Sequence, residues 1–314
     1  MKTFSSRPAR IAALVLRMAL GLLFIVSAIL KLVGIDEFEI YIFSFNVLQL
    51  NAAFLFARLV IIAELLVGIG LLANIWNKFV DTCALLMLVV FSVFLCYAAL
   101  IGRTDSCHCM GPLISIDPVR SLLKNAVLIV LLLVSMGSRP WNWRPRWFVW
   151  LPVVLAPVVT VFILSAPDNW LFGPSDELYD AEMFKQSVAD DGDLAQLHLD
   201  EGRHVVAFLS TGCSFCRMAD EKLTYICRRD GLDSTAFVYL LPSTDSIQSP
   251  LSLDSVSFLR PGYRVPVMTF LKITYGQRPM VFLLDDGEVE ATFHYRNIDE
   301  HRIDSFLRNE DEDR

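Results

Sequence analysis

Two cysteines separated by two residues are the part of this sequence best suited to chemistry. They lie in the stretch Thr-Gly-Cys-Ser-Phe-Cys-Arg, so the pair is Cys213 and Cys216. Such a pair can exchange a disulfide with another protein, or it can supply half of a zinc site. Zinc would need two further ligands, and the candidates in this half of the chain, such as Cys227, His204, His294 and His301, are single residues without ligand spacing. We therefore interpret the pair as redox-active.

The surrounding sequence predicts that this pair lies at the start of a helix. An apolar run at residues 204–210 predicts a strand, and residues 217–229 contain neither Pro nor Gly and predict a helix. At a helix N-terminus, unpaired backbone N–H groups and the positive end of the helix dipole stabilise a thiolate. We expect Cys213 to be the solvent-facing nucleophile and Cys216, one turn into the helix, to be the resolving thiol.

A proline followed by two short apolar runs forms a second signal. Pro279 directly precedes one run, and Asp286-Gly287 separates it from the next, which predicts a strand, a hairpin turn and a strand. Together with the cysteine pair, this pattern resembles the thioredoxin fold, whose members carry a cis-proline facing the cysteines. The resemblance implies that the Arg278-Pro279 bond is cis and that Pro279 belongs to the site.

Two positions depart from the thioredoxin pattern. Ala207 stands six residues before Cys213, where many thioredoxins keep a buried carboxylate as proton acceptor. Arg278 stands before the proline in place of the more usual small or β-branched residue. These departures leave open how protons are handled, and with it the direction of electron flow.

The composition indicates a membrane protein. Of the 314 residues, 54% are hydrophobic and 19% are charged, and the apolar residues are concentrated in the first half. The net charge of −7 comes mainly from the second half. No basic, aromatic-interleaved segment typical of nucleic-acid binding occurs, so we expect no nucleic-acid partner.

Five apolar stretches are candidates to cross a bilayer, which takes about 20 residues. We place them at residues 11–34, 52–75, 79–101, 121–136 and 148–166. The first lacks a small-residue cleavage site followed by polar sequence, so we expect a retained anchor and not a cleaved signal peptide. Five spans put the two termini on opposite sides of the membrane.

The charges that flank these spans favour a cytoplasmic N-terminus. Basic residues occupy residues 2–10 and the tight loop at residues 139–146, whereas the first outer loop carries Asp36, Glu37 and Glu39. Arg103 and Arg120 flank an outer connection, and they are exceptions to the rule that basic residues collect on the cytoplasmic side. We expect a multi-pass protein of the bacterial inner membrane whose C-terminal domain is extracytoplasmic, where disulfides persist.

A second cysteine pair lies between the third and fourth predicted spans, in the sequence Cys107-His108-Cys109. In the predicted topology it shares the outer side of the membrane with the first pair. A Cys-x-Cys disulfide closes a small ring, so we expect it to be strained and readily exchanged. The alternatives are that Cys107, His108 and Cys109 bind a metal, or that the disulfide is structural, which this spacing disfavours.

The membrane half resembles the DoxX and MauE family of four-helix membrane proteins. The resemblance covers roughly the first 140 residues, and only the Cys-x-Cys-x-Gly element, in which Met110 replaces the usual aromatic, is specific. MauE is implicated in disulfide formation during maturation of a periplasmic dehydrogenase, and DoxX relatives are linked to sulfur and quinone chemistry. A membrane bundle joined to a thioredoxin-like domain also resembles, in architecture, bacterial vitamin K epoxide reductase homologues, which pass electrons to quinone. The residues that carry the family resemblance are Arg17, Gly21, Lys31, Glu64, Gly68, Cys107, Cys109, Gly111, Lys124 and Asn125.

Charged residues inside the predicted spans are functional candidates, because burying a charge in lipid is costly. We expect Lys31, Arg58 and Lys124 to lie near the outer ends of their spans, and we hypothesise that they form a cationic collar around Cys107 and Cys109. The alternative for the two lysines is extension of their side chains to lipid headgroups. Glu64 lies deeper, and we expect it to pair with a basic residue of the first span.

The other cysteines predict no second exchange pathway across the membrane. Cys83 and Cys96 lie in one predicted helix and about 20 Å apart, too far to bond. No cysteine pair is expected on the cytoplasmic face. We interpret Cys83, Cys96 and Cys227 as packing residues.

These observations predict three segments: a four-helix membrane domain at residues 1–140, a fifth span with its linker at 141–174, and an α/β thioredoxin-like domain at 175–314. They predict a membrane-bound thiol-disulfide oxidoreductase that passes electrons between extracytoplasmic client proteins, Cys213-Cys216 and Cys107-Cys109. Quinone is a candidate acceptor, no cofactor or metal is assigned, and membrane lipid surrounds the first half. The alternative is a non-enzymatic membrane scaffold or metal-handling protein.

Overall fold

The computed structural model of the chain describes residues 7–102, 117–137, 147–167, 179–189, 192–211, 213–243 and 262–308. The chain divides into two compact units. The first comprises Met1–Ile42 and Ala53–Ala166, and the second comprises Phe43–Ala52 and Pro167–Arg314. The domain boundaries inferred from the sequence, at residues 140 and 174, stay a prediction.

Apolar helices, most of them long, make up most of the first unit. They are α1 (Arg7–Val33), α2 (Ile35–Phe43), α3 (Leu50–Leu72), α4 (Asn77–Leu100), α5 (Pro118–Gly137) and α6 (Trp147–Leu164). The last residue of α2 and the first three of α3 belong to the second unit. Among the described residues, four helices, α1, α3, α4 and α5, are long and apolar enough to cross a membrane. Helix α6 contributes a shorter apolar stretch, Leu151–Leu164, and contains two prolines.

Helices α1 and α3 touch through glycines. A Cβ atom added to Gly21 would lie 2.7 Å from the carbonyl oxygen of Gly68, and one added to Gly68 would lie 2.9 Å from the carbonyl oxygen of Gly21. Two helix backbones therefore meet directly at this crossing. In membranes, where helices gain little from burying apolar side chains, such small residues permit the close packing that holds helices together.

Each of three buried cations in the first unit has a carboxylate partner. Lys31 Nζ lies 2.6 Å from Glu64 Oε1, and the lysine also donates to the Ser27 hydroxyl. The prediction that Glu64 pairs with a basic residue of the first span is confirmed. Extension of Lys31 to lipid headgroups is wrong, because this residue is only 2% exposed and ion-paired. Arg17 pairs in the same way with Asp81 of α4.

Arg58 of α3 corrects two expectations from the sequence. It pairs with Glu39, which lies in helix α2 and not in the loop predicted from its acidic neighbours. It also donates to the carbonyl oxygens of Ser165 and Ala166, at 2.8 and 2.9 Å. Because Arg58 and Lys31 each have a buried carboxylate partner, they bring no net positive charge to a collar around the second cysteine pair.

A five-stranded mixed sheet forms the centre of the second unit. Its strands are β1 (Arg203–Phe208), β2 (Phe237–Pro242), β3 (Tyr263–Val265), β4 (Met280–Asp285) and β5 (Glu288–His294), in the order β3-β2-β1-β4-β5. Strands β1, β2 and β3 are parallel, and β4 runs antiparallel to both β1 and β5. The central strand β1 therefore lies between β2 and β4, and its C-terminal end is beside the start of β4.

Helices cover both faces of this sheet: α7 (Ala181–Val188), α8 (Ser214–Asp230), α9 (Val267–Thr274) and α10 (Glu300–Arg308). One face packs Phe208 and Phe282 against Phe184 of α7 and Phe270 of α9. The opposite face buries alternate strand residues such as Ala207 and lies against α10, and Tyr239 on this face adjoins Asp220 of α8. This arrangement confirms the predicted thioredoxin-like α/β fold.

Strand β3 and helix α9 follow each other closely in the chain, between β2 and Pro279. The structure has a three-residue edge strand ending at Val265 and a helix beginning at Val267. Pro266 separates them, because proline has no N–H to continue a strand ladder and is well placed just before a helix. The apolar residues after it follow helical periodicity and not strand alternation.

Residues 43–52 belong to the second unit and contact two of its helices. Arg229 of α8 donates to the Leu48 carbonyl oxygen at 2.6 Å and pairs with Glu300 of α10 at 3.0 Å. Glu300 in turn accepts a hydrogen bond from the Leu50 N–H at 2.8 Å. The Arg229-Glu300 ion pair thus holds the C-terminal end of α8 and the N-terminal end of α10 against this segment.

The glycine contact gives a test of the first unit. Gly21→Ala should destabilise it by about 1–3 kcal/mol, because the new methyl group would overlap the α3 backbone, which cannot rotate away as a side chain can. Gly137→Ala is the matched control, since nothing lies within 4 Å of a Cβ at that position. Thermal unfolding of the purified protein in detergent measures both variants, and equal melting temperatures would contradict the contact.

Candidate thiol-disulfide site

Cys213 caps the N-terminus of helix α8. Its backbone is extended, with φ −108° and ψ 116°, and its Sγ accepts a hydrogen bond from the Cys216 N–H at 3.3 Å. The Cys213 N–H donates to the Ser210 carbonyl oxygen at 3.2 Å, which fixes the turn after β1. A sulfur in this position receives the N–H groups and the positive helix end that stabilise a thiolate.

Cys216 differs from Cys213 in its surroundings. It is 2% exposed, whereas Cys213 is only half-buried. Burial raises the pKa of the Cys216 thiol, and the hydrogen bond and charge of Cys213 raise it further. Cys213 is therefore the accessible sulfur, and Cys216 is the buried thiol that keeps its proton. Stepwise disulfide exchange uses this difference, because one sulfur reacts first with the client and the other reacts second.

The proline loop lies beside the first cysteine. The Arg278-Pro279 peptide bond is cis, which confirms the prediction. The Arg278 carbonyl oxygen lies 4.0 Å from Cys213 Sγ, and the Arg278 guanidinium lies 3.4 Å from the Ser210 hydroxyl. Because Phe208 at the end of β1 pairs with Met280 at the start of β4, the sheet itself brings these two loops together.

Phe215, between the two cysteines, has a stacked partner that sequence reasoning missed. Its ring lies 4.8 Å from that of Tyr295, at an interplanar angle of 25°. The buried Lys222 donates to the Tyr295 carbonyl oxygen at 2.8 Å and lies 5.2 Å from the centre of its ring. These contacts fix the first two turns of α8 against the segment that follows β5.

Asp220 is the second residue that sequence reasoning missed. Its side chain is fully buried, and Thr224 Oγ1 donates to its Oδ1 at 3.4 Å. Burial raises the pKa of Asp220 to about 7, although the adjacent Tyr239 hydroxyl lowers it. The available signal was its position four residues after Cys216, which places both on one side of a helix.

The remaining predicted residues fall into two groups. Cys107 and Cys109, with His108 between them, lie outside the described residues. Cys83 and Cys96 lie in α4, and Cys227 is buried in α8, where its thiol donates to the Leu232 carbonyl oxygen at 3.4 Å. In the part of the chain that the structure describes, no three or more His, Cys, Asp or Glu residues cluster as metal ligands would.

Fold and site together define the class: a membrane helical bundle joined to a thioredoxin-like domain with a Cys-x-x-Cys pair. Comparison with known proteins agrees. Residues 9–138, which include most of the membrane part of the chain, match the family of the methylamine utilisation protein MauE. Protein TlpB of Flavobacterium psychrophilum is 28% identical over 262 residues, which cover 67% of this chain and 71% of that protein. No solved structure matches the chain significantly.

These findings support a coarse functional statement. The chain is a membrane protein, and its second unit carries a Cys-x-x-Cys pair at a helix N-terminus on a thioredoxin-like fold.

Asp220 makes stability depend on pH. Its pKa is raised by burial from 3.8 to about 7, so its stabilising effect is complete below pH 4 and is lost as the pH rises through 7. The free energy of unfolding of Asp220→Asn should therefore equal that of the original protein near pH 4. At pH 8 it should be higher by roughly 1–4 kcal/mol. Amide hydrogen exchange of β1 and β2, corrected for intrinsic rates, measures the difference.

The control for this test is Glu221→Gln, next in sequence. Glu221 is partly exposed and lies 3.9 Å from Arg217, so its loss should change stability by less than about 0.5 kcal/mol at either pH. An Asp220→Asn effect of the same size at pH 4 and pH 8 would contradict a buried, titrating carboxyl group.

Proposed function

We propose that this protein is a membrane-bound thiol-disulfide oxidoreductase, in which Cys213 forms the mixed disulfide with a client protein and Cys216 resolves it. The observation that carries the proposal is the pair of unlike sulfurs at the N-terminus of α8, one capping the helix and one buried. The client is an extracytoplasmic protein with exchangeable cysteines.

The chemistry proceeds by two exchanges. In the reducing direction, the Cys213 thiolate attacks a client disulfide, and one client sulfur leaves as a thiolate. Cys216, after losing its proton, attacks Cys213 Sγ, which releases the second client thiolate and leaves a Cys213-Cys216 disulfide. Two electrons pass to the client. In the oxidising direction the same steps run in reverse and the client disulfide forms.

The N-terminal cap supports this role for Cys213. The Cys216 N–H and the end of the α8 dipole both favour the negative sulfur that attacks and leaves in each exchange. The Arg278 carbonyl oxygen, 4.0 Å from that sulfur, belongs to the loop that carries Pro279. This loop borders the attacked sulfur and is where we expect the client backbone to bind.

The second half of the proposal is a relay to Cys107 and Cys109. These residues fall within the segment that matches the MauE family, and the charge pattern of the sequence favours the same side of the membrane for both cysteine pairs. In the oxidising direction, electrons pass from client thiols to Cys213-Cys216, then to Cys107-Cys109, and finally to a membrane quinone. The proposed location is the bacterial inner membrane, with the thioredoxin-like domain outside the cytoplasm.

Trapping tests the first half of the proposal. In cells, Cys216→Ala should accumulate client proteins linked to Cys213, because the mixed disulfide loses its resolving thiol. Non-reducing gels with and without a reductant detect them. The double variant Cys213→Ala, Cys216→Ala should trap none, and Cys227→Ala combined with Cys216→Ala should trap as many as Cys216→Ala, since Cys227 is buried away from the pair. A complete lack of Cys213-linked products would refute the catalytic role.

Thiol alkylation in cells tests the relay. Cys107→Ser should leave Cys213-Cys216 reduced if the relay oxidises this pair, and quinone depletion should do the same with the original protein. Cys83→Ser serves as the control, because this residue lies within α4 and should not affect either pair. An unchanged redox state of Cys213-Cys216 in Cys107→Ser would exclude the relay while leaving the trapping result intact.

A further inference from the structure

The resolving step requires a group that takes a proton from Cys216. This thiol is only 2% exposed, and burial raises its pKa, so it does not ionise readily by itself. Strand β1 offers no acceptor at position 207, where alanine stands. The requirement follows from the proposed function, and a buried carboxyl group elsewhere in the second unit could meet it.

Asp220 lies on the same side of α8 as Cys216. Side chains four residues apart on a helix are neighbours, with about 6 Å between their Cβ atoms. Helical side chains also tilt towards the N-terminus, which directs Asp220 back towards the turn that contains Cys216. Asp220 is fully buried, and its Oδ2 makes no hydrogen bond of good geometry among the described residues, although the adjacent Tyr239 hydroxyl lowers its pKa. A carboxylate oxygen so poorly paired in a buried place is costly, which calls for an explanation.

The sheet positions Asp220 from the other side. Ala207 of β1 and Tyr239 of β2 are register partners, so their side chains point to the same face of the sheet. The Tyr239 hydroxyl adjoins the Asp220 carboxyl group. Asp220 therefore lies between α8 and the sheet face that carries Ala207 and Tyr239. A carboxylate at position 207 of β1 would occupy the same layer, but it would extend from the strand and not from the helix. The small Ala207 side chain leaves room for Asp220.

We propose that Asp220 is the proton acceptor and donor for Cys216, in place of a carboxylate on β1. In the reducing direction, the Asp220 carboxylate takes the Cys216 proton, directly or through one water, and the resulting thiolate attacks Cys213 Sγ. In the oxidising direction, a client thiolate attacks Cys213 Sγ, Cys216 leaves as a thiolate, and the Asp220 carboxylic acid returns the proton. Each direction moves one proton between two named groups.

The surroundings of Asp220 suit this exchange. A proton carrier works best when it is part ionised at the working pH, and the pKa of Asp220, raised by burial, is about 7. The charged and titratable groups that act on it or on its neighbour Tyr239 are Glu221, Arg228, Cys227 and Tyr239 itself. Lys222 points instead to the Tyr295 carbonyl oxygen. Arg203 and Asp285 pair with each other at the opposite end of β1.

A stopped-flow measurement of the resolving step tests this proposal. The full chain carrying Cys107→Ser and Cys109→Ser is reduced, and one equivalent of an aromatic disulfide, 5,5′-dithiobis(2-nitrobenzoate), is added. Attack by Cys213 releases the first coloured thiolate, and attack by Cys216 on the mixed disulfide releases the second. The rate of the second release is measured as a function of pH.

With Asp220 present, this rate should rise with pH as the carboxyl group ionises and level off above about pH 7. Asp220→Asn should slow the second release by about 10- to 100-fold at pH 7 and remove the plateau, so that the rate keeps rising into the alkaline range. Asp220→Glu should restore a plateau at a changed pH. Glu221→Gln, the control, should keep a plateau but reach it at a somewhat lower pH, because the negative charge of Glu221 raises the pKa of Asp220.

The outcomes separate the two proposals. A second release from Asp220→Asn with the original rate and pH profile overturns the role of Asp220 and leaves the thiol chemistry standing. No second release from the chain that retains Asp220, or a second release that persists in Cys216→Ala, overturns the proposed function itself. Amide hydrogen exchange shows whether Asp220→Asn is folded, and if it is not, the shifted plateau of Asp220→Glu decides the question.

Discussion

The hydrogen bond from the Cys216 N–H to Cys213 Sγ connects the fold of the second unit to its chemistry. It exists because β1, the central strand, ends in a turn held by Ser210, and α8 must begin immediately after it. A helix that starts there has N–H groups without partners, and a sulfur satisfies one of them. The same sheet geometry brings the start of β4, and so Pro279, to this point. Reactivity at Cys213 is thus a consequence of where the central strand stops.

In the first unit, a charged side chain in a membrane helix needs a partner of opposite charge. Lys31 pairs with Glu64, and Arg58 pairs with Glu39, so pairing within the bundle explains why these cations occur in apolar helices. A cavity of about 30 Å³ adjoins the Lys31-Glu64 pair and is also lined by Lys124 and Asn125. That space holds about one water molecule, so a quinone ring does not fit it.

Sequence reasoning succeeded where the physical signal is local. Hydropathy located the long helices, and the Cys-x-x-Cys pair between an apolar run and a helical segment located the site, while the cis bond before Pro279 came from the thioredoxin resemblance. It failed where a residue's state depends on a distant partner. Helix α2 was taken for an acidic loop because Glu39 is neutralised by a residue 19 positions away. Asp220 was missed because its burial requires Tyr239 on a neighbouring strand.

The contacts at Cys213 also bear on the direction of electron flow. A hydrogen bond and a helix dipole stabilise a sulfur most when it is a thiolate, which exists only in the reduced pair, because a disulfide sulfur carries no charge. The positive charge of Arg278 acts in the same sense, since it lowers the pKa of Cys216 against the larger effect of burial. Stabilising the reduced form makes the disulfide a stronger oxidant. We infer that these contacts favour the acceptance of electrons from client thiols, and this direction agrees with a relay that removes the electrons into the membrane.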